Sequence, residues 1–416
     1  MANIDYSIKD IDKIVHLDGD IKKVEVTRLT APGENYLSLV LRVDIEVEKN
    51  GQRHIVNAVA KRLPLGKSSM GPELHKFSMK NEIKFYVEIL PILTKFSSEY
   101  GVDCRQLYPK YYGSRLSLDP TQTEADEESV LLLENLIPEG YENEDRFIGF
   151  DYPASKAILK ELALFHAIPI ALRIKHPEQF KVVKEYLNTP HPHPFGKGPP
   201  GGENKNGPPE GQKGPGHALL NALQKIPECS PFIPRLEPHM TKHMGPPAFR
   251  PGVEPWATMS HNDFWVNNIM IKPQPDKEPL VKLVDFQGCK YQSFANDVVF
   301  FLLTSIRNDV HKAHFDDLLR YYYDEFTKLL KQLESNLELT YDQYLKELET
   351  AAKESETKHA IGFSTIVFGE KNSSVDVAVE DVDFFAMISK KTENMNEFRK
   401  AKLIHIVPEV CKRNWI

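Results

Sequence analysis

Residues 260–272 read SHNDFWVNNIMIK, and after a proline-rich turn residues 280–287 read LVKLVDFQ. The second segment is an apolar strand pattern, with Leu280, Val281, Leu283 and Val284, that delivers Asp285 at its end. The first places Asp263 and Asn268 five positions apart in a polar turn just ahead of an apolar run. A hard divalent ion such as Mg²⁺ prefers carboxylate and amide oxygens completed by water, which Asn268 and Asp285 can supply, leaving Asp263 beside them for a different task. The plainer alternative is a pair of Asx-type turns, in which short polar side chains bond their own backbone. What lies upstream decides between the two.

From Lys22 to about Leu63 the chain reads as strands. Leu37, Leu39, Leu41, Val43, Ile45 and Val47 alternate with mostly polar residues. Asn50-Gly51 supplies a hairpin turn, and the return strand over 54–62 carries Lys61. A helix is expected from about Leu74 to Ile89, with Phe77, Phe85 and Ile89 near helical spacing, Glu82 within it and Pro91 ending it. Val130 to Leu133 form a further strand running into Glu134-Asn135-Leu136, an expected inter-lobe connection. Beyond it the pattern turns helical, over Ala154 to Ala167, His314 to Leu339 and Tyr341 to Lys353. The expected class is therefore α+β, with a small β-rich N-terminal lobe over 1–135 and a larger, mainly helical lobe over 136–416.

Residues 190–216 are more than half Pro and Gly, too poor in apolar surface to offset chain entropy, and are expected to form a mobile surface insertion. His191 and His193 within it are expected to be solvated rather than metal-bound. At 416 residues, 41% hydrophobic and 27% charged, the chain has the composition of an ordinary globular protein. A net charge of −7 without a Lys/Arg run argues against nucleic acid as a partner. No apolar stretch approaches a membrane span, and the N-terminus lacks a signal-peptide pattern, so a cytoplasmic protein is expected. Cys104, Cys229, Cys289 and Cys411 are widely spaced, which fits reduced thiols. Gly66-Lys67-Ser68 has the end of a P-loop, but Lys61 stands where its first glycine belongs; Met70 spoils a GxSxG reading of the same stretch.

The order of these features, a lysine strand, an acidic helix, an HxD loop and a strand ending in Asp-Phe, resembles the protein-kinase-like two-lobed fold. More specifically the chain resembles the ecdysteroid-kinase-like family, relatives of the choline and aminoglycoside kinases. The resemblance rests on GENYLS (33–38), VAKRLP (59–64), NEIKFYVEILP (81–91), LLLENL (131–136), ELALFHA (161–167), HNDFWVNNIM (261–270), LVDFQ (283–287) and ANDVVFFL (295–302). It implies an ATP- and Mg²⁺-dependent kinase for a hydroxyl of a small molecule, an ecdysteroid or a xenobiotic. The alternatives are a choline- or aminoglycoside-type kinase, or a pseudokinase that only binds. By this resemblance Asp263 is the catalytic base and Asn268 and Asp285 hold magnesium. Lys61 holds nucleotide phosphates, Glu82 pairs with Lys61, and Glu134 and Leu136 border the adenine.

Gly33, Asn35 and Ser38 lie in the stretch that would cover the phosphates, although one glycine there also fits a simple hairpin turn. His261 is expected to buttress the loop, and Asp297 either to bond its backbone or to be an ordinary helix-terminal acid. Asn262 stands where many relatives have Gly, and Asn tolerates the left-handed backbone that such a position needs. Trp265, Tyr321, Tyr322 and Phe326 either line an acceptor pocket or, for most of them, fill core.

Overall fold

The computed structural model describes residues 5–31, 37–66, 71–192, 215–241, 251–369 and 395–416, together with 378–381, 383, 387, 391 and 392. Gly33, Asn35, His193 and most of the Pro/Gly-rich stretch lie outside these residues.

A short helix α1 (Ile11–Ile14) precedes β1 (Asp20–Arg28), β2 (Leu39–Lys49) and β3 (Gln52–Arg62). The β2–β3 turn is made by Asn50 and Gly51, both at positive φ (53° and 76°), the backbone that matches a two-residue hairpin to the twist of its strands. Helix α2 (Pro72–Lys84) passes through a π-turn at Phe85–Ile89 into α3 (Leu90–Glu99). Strands β4 (Tyr111–Arg115) and β5 (Val130–Glu134) complete a five-stranded antiparallel sheet in the order β1-β2-β3-β5-β4. Alternation along β3 buries Ala58 and Ala60 on one face against Ile8, Ile11 and Ile14. It turns Lys61, which lies opposite Val40 and Leu131, to the other face.

The expected helix over 74–89 runs on past Pro91. A π-turn is wider than an α-turn, and the extra width accommodates a ring that would otherwise clash with a carbonyl one turn back, so the proline opens α3 instead of ending the helix.

The second half is mainly helical. After β6 (Glu142–Asn143) come α4 (Tyr152–Lys175), capped by Asp151, then α5 (Pro177–Leu187), α6 (Pro215–Gln224) and α7 (Ile233–Met240). Four short strands follow: β7 (Ala257–Ser260), β8 (Ile269–Lys272), β9 (Leu280–Leu283) and β10 (Lys290–Ser293). Helices α8 (Phe294–Thr304), α9 (Asn308–Gln332), α10 (Tyr341–Ala351), α11 (Thr357–Val367) and α12 (Glu397–Lys412) complete the described chain, a second π-turn at Ala352–Glu356 joining α10 to α11. Helix α9 packs along α4. It begins six residues before the expected His314, where Arg307 and Asn308 start it, and stops at Gln332 rather than Leu339 because Glu334 and Asn336 turn to positive φ. Tyr322 and Phe326 are fully buried in it and fill core, whereas Tyr321 is half-buried. His191, expected in solvent, packs on Phe77 at 4.4 Å, and burial followed by the Lys290 charge pushes its imidazole down to about 3.

A β-rich region and a mainly helical region thus form an α+β, protein-kinase-like arrangement. Among the described residues no helix is long and apolar enough to cross a membrane. Within the helical region Gly149 ties the segment before α4 to the α8–α9 connection: at φ 82° it lets Phe150 donate to Ser305 O at 2.8 Å and accept from Arg307 N at 2.9 Å. A Cβ at Gly149 would stand 2.5 Å from Ser305 O. Gly149→Ala is expected to cost roughly 2 kcal/mol or more, through both the backbone angle and the clash. Urea unfolding of the variant against the parent chain measures it, and an unchanged midpoint would contradict the assignment.

Candidate active site

Two antiparallel ladders build the site. β7 pairs with β10, Ser260 opposite Lys290, and β8 pairs with β9, Ile269 opposite Leu283. The segments between them, residues 261–268 and 284–289, are therefore held side by side. Val284 N donates to Asn268 O at 3.0 Å, and His261 Nε2–H donates to Val284 O at 3.0 Å, so each segment is tied directly to the other. Burial pushes the His261 imidazole down, which fits a neutral ring donating from Nε2.

Within the first segment, Asn262 adopts φ 64°, the left-handed angle that Asn accepts more readily than most residues. Asp297, in the first turn of α8, holds the backbone in that shape. Its carboxylate accepts from His261 N (2.6 Å), Asn262 N (2.9 Å), Ser260 Oγ (2.9 Å) and His166 Nε2 (3.0 Å). His166 is oriented through Nδ1 by the Tyr322 hydroxyl at 2.8 Å. Burial alone would raise the Asp297 carboxyl, but the hydrogen bond and charge of His166, with the other donors, hold it below the usual carboxylate range.

Asp263 and Asn268 face each other across the loop. The Asn268 amide donates to the Asp263 backbone oxygen and to Oδ2, both at 2.9 Å, which leaves its Oδ1 end for another partner. Burial and then the charge of Asp285 push the Asp263 carboxyl up to about 7, against the hydrogen bonds from Asn268 and the Trp265 side chain.

Asp285, at φ 72°, turns its carboxylate to Lys61 Nζ at 2.6 Å. The same ammonium meets both Glu82 oxygens at 2.8 Å. The side chains of Lys61, Glu82 and Asp285 are 12%, 2% and 21% exposed, so the triad is shielded most at Glu82 and opens toward solvent at Asp285. Burial opposes the lysine charge, yet Asp285 and then Glu82 outweigh it and hold Lys61 above its ordinary range. Burial likewise pushes Glu82 up. Two bonds from Lys61 and one from Phe286 N at 3.3 Å are the contacts of an ionised carboxylate, and the geometry holds that form.

Gln287 bonds the other Asp285 oxygen at 3.2 Å, and Asn81 Nδ2 donates to Gln287 O at 2.8 Å. Phe286 stacks on Phe85 at 4.2 Å and 13° and contacts Tyr108 and His261.

The structure thus brings Lys61, Glu82, Asp263, Asn268, Asp285, His261 and Asp297 into one connected site. Glu134 points elsewhere: its carboxylate accepts from Lys110 N at 3.2 Å and faces Lys282 Nζ at 3.5 Å. Leu136 is buried with Tyr141, Met270 and the half-buried Val284, next to Asp285 in sequence. Ser38 is half-buried just before β2, and Gly33 and Asn35 fall outside the described residues. Asn81 and His166 had no distinct role in the sequence reading, which placed Trp265 and Tyr322 in an acceptor pocket or in core. A histidine at the end of the apolar helix pattern at 154–167 was the available signal for His166.

Among the described residues no cluster of three or more His, Cys, Asp or Glu side chains is placed to hold a metal ion. A divalent ion here would rest on Asp285 and the Asn268 amide oxygen, with phosphate and water oxygens completing its shell, a hard-oxygen set that fits Mg²⁺.

A strand lysine tied to a helix carboxylate, above a loop presenting Asp263 and Asn268, is the arrangement of protein-kinase-like chains. A model of the ecdysteroid kinase-like family matches residues 32–335, and the chain belongs to that family. No curated protein matches it. Among solved structures it is similar to an ethanolamine kinase of Plasmodium vivax, at 11% identity over 94% of this chain and 83% of that one, TM-score 0.40. It is also similar to a microcompartment-associated aminopropanol kinase (11%, 94% and 92%, TM-score 0.35) and to the GDP complex of an aminoglycoside 2′-phosphotransferase (12%, 79% and 94%, TM-score 0.35).

Replacing Asp297 by Asn turns an amide N–H toward groups that now donate to a carboxylate. Asp297→Asn is expected to lose about 2–4 kcal/mol of stability. Denaturant titration reads this loss; a variant as stable as the parent would remove Asp297 from its place as the anchor of the loop.

Proposed function

We propose that the chain is an ATP- and Mg²⁺-dependent kinase that phosphorylates a hydroxyl of a small molecule, an ecdysteroid or a hydroxylated xenobiotic. The observation that carries this reading is Lys61 clasped between Glu82 and Asp285, directly beside the loop that presents Asp263 and Asn268. In this reading residues 1–135 form the nucleotide-binding lobe and residues 136–416 the catalytic and acceptor lobe.

Lys61, held in place by Glu82, bonds oxygens of the nucleotide phosphates. Asn268 and Asp285 hold the metal, which when bound neutralises charge on the phosphates. Asp263 orients the acceptor hydroxyl toward the γ-phosphorus and takes its proton as the new O–P bond forms and the bond to ADP breaks. His261 and Asp297 act only by keeping the loop in shape.

The test is calorimetry with folded protein, followed by a screen of polyhydroxylated steroids and xenobiotic glycosides for ATP-dependent mass gain of one phosphate. Mg²⁺-dependent ATP binding is expected in the parent chain and its loss in Asp285→Ala. Asp263→Ala is expected to retain nucleotide binding while turnover falls roughly a hundred- to ten-thousand-fold. Folded chain that binds no nucleotide in the presence of Mg²⁺ would overturn the reading.

A further inference from the structure

Helix α11 carries His359, Gly362, Phe363 and Ile366 at positions i, i+3, i+4 and i+7, all half-buried, while Thr357, Ala360, Ile361, Ser364 and Thr365 are buried. One stripe of this helix therefore borders open space. Among the described residues no atom lies within 4 Å of where a Cβ at Gly362 would stand. The stripe adjoins the catalytic loop: the Phe363 ring stands at 90° to Trp265 with centroids 5.2 Å apart, and Trp265 lies two residues after Asp263 in that loop.

His359 is the polar member of the stripe, and its ring is fixed on three sides. It lies flat on Phe300 (4.3 Å, 11°) and against Phe363 (5.5 Å, 62°), and its Nδ1 meets Glu356 Oε2 at 3.3 Å. Glu356 is itself fixed from the π-turn, accepting through Oε1 from Asn296 Nδ2 and Ser355 Oγ, both at 2.8 Å. Asn296 is the neighbour of Asp297, so the histidine and the catalytic loop hang from the same turn of α8. A carboxylate at Nδ1 selects the tautomer that donates there and leaves Nε2 as an acceptor. The side chain is 20% exposed, so Nε2 is open to a partner from outside the helix.

We infer that this stripe is the acceptor wall: His359 Nε2 accepts a hydrogen bond from a second hydroxyl of the acceptor, and the flat gap at Gly362, at the edge of the stripe beside Ile366, takes an apolar ring. The inference rests on the kinase reading and narrows it to rigid ring compounds with a hydroxyl near the one phosphorylated. His359 is a positioning residue; it sets which oxygen reaches Asp263. Among the described residues the stripe itself carries no carboxylate for an ammonium group, and Glu356, the acid that meets it, is committed to His359, Asn296 and Ser355.

The experiment compares a polyhydroxylated steroid that gains phosphate in the screen with its analogue lacking the neighbouring hydroxyl, using the full chain. For the diol, His359→Ala is expected to raise the acceptor KM about three- to tenfold, the size of one lost hydrogen bond, with the KM for ATP unchanged. For the analogue the same variant is expected to behave as the parent, and His359→Gln, whose amide oxygen reaches the Nε2 position, restores part of the loss for the diol. Gly362→Leu adds a good helix former at an open position, so the fold is retained while acceptor KM rises for both compounds. Unchanged acceptor KM in His359→Ala and Gly362→Leu, or equal losses on diol and analogue in His359→Ala, overturns the inference. A parent chain that binds no Mg²⁺-ATP overturns the kinase reading, and this inference with it.

Discussion

One ammonium group between two carboxylates joins three segments that are remote in sequence: β3 through Lys61, α2 through Glu82, and the turn after β9 through Asp285, 224 positions from the lysine. Two acids around one base, Glu82 buried and Asp285 partly exposed, leave a negative charge that the lysine does not neutralise. Such a cluster is weak evidence of stability, because desolvation consumes most of the Coulomb gain. Its worth lies in position. The lysine can be satisfied only where sheet, helix and turn meet, and that meeting point is where polyphosphate and metal would be expected. The apolar contacts around it agree: Phe286, next to Asp285, stacks on Phe85, one turn beyond Glu82, so the same two elements are joined by charge on one side and by ring packing on the other.

The second constraint is backbone shape. Asn262 and Asp285 both hold left-handed angles that cost free energy outside glycine, and each is held by its surroundings. For Asn262 these are the bonds to Asp297, and for Asp285 they are Lys61 and Gln287. Asp297 in turn depends on His166 and, behind it, Tyr322. A chain of polar groups thus runs from the buried middle of α4 and α9 to the loop that presents Asp263. In low dielectric such a chain favours one geometry when every member is satisfied and is costly when one is missing.

The strands and the hairpin turn at Asn50-Gly51 were legible in the sequence, because alternation and turn chemistry are local signals, and the pairing of Lys61 with Glu82 followed from the resemblance; Asp285 on the same ammonium did not. The placement of Asp297 was half legible: the sequence left it open between loop anchor and ordinary helix-terminal acid, and only the geometry supplies four donors to one carboxylate. What could not be read was anything set by packing between distant elements. His166 looked like one residue of an apolar helix, His191 like a solvated coil residue, and His359 like nothing in particular. These partners, Tyr322, Phe77 and Phe300, lie 156, 114 and 59 positions away.

Both π-turns belong to this illegible part, and both adjoin the site. An extra residue in one helical turn rotates everything after it by about 100° relative to an unbroken α-helix. At Phe85–Ile89 that rotation follows Glu82, so the acid keeps its place facing Lys61 while the residues of α3 turn their apolar face to the core. At Ala352–Glu356 it precedes His359 and sets Glu356 where it can reach both Asn296 and the imidazole. Sequence periodicity assumes a constant helical repeat, and a single wide turn breaks that assumption without leaving a residue signature. In each case the departure from regular helix coincides with a carboxylate committed to a partner in the site, which is the physical reason to read the widened turns as devices for aiming side chains.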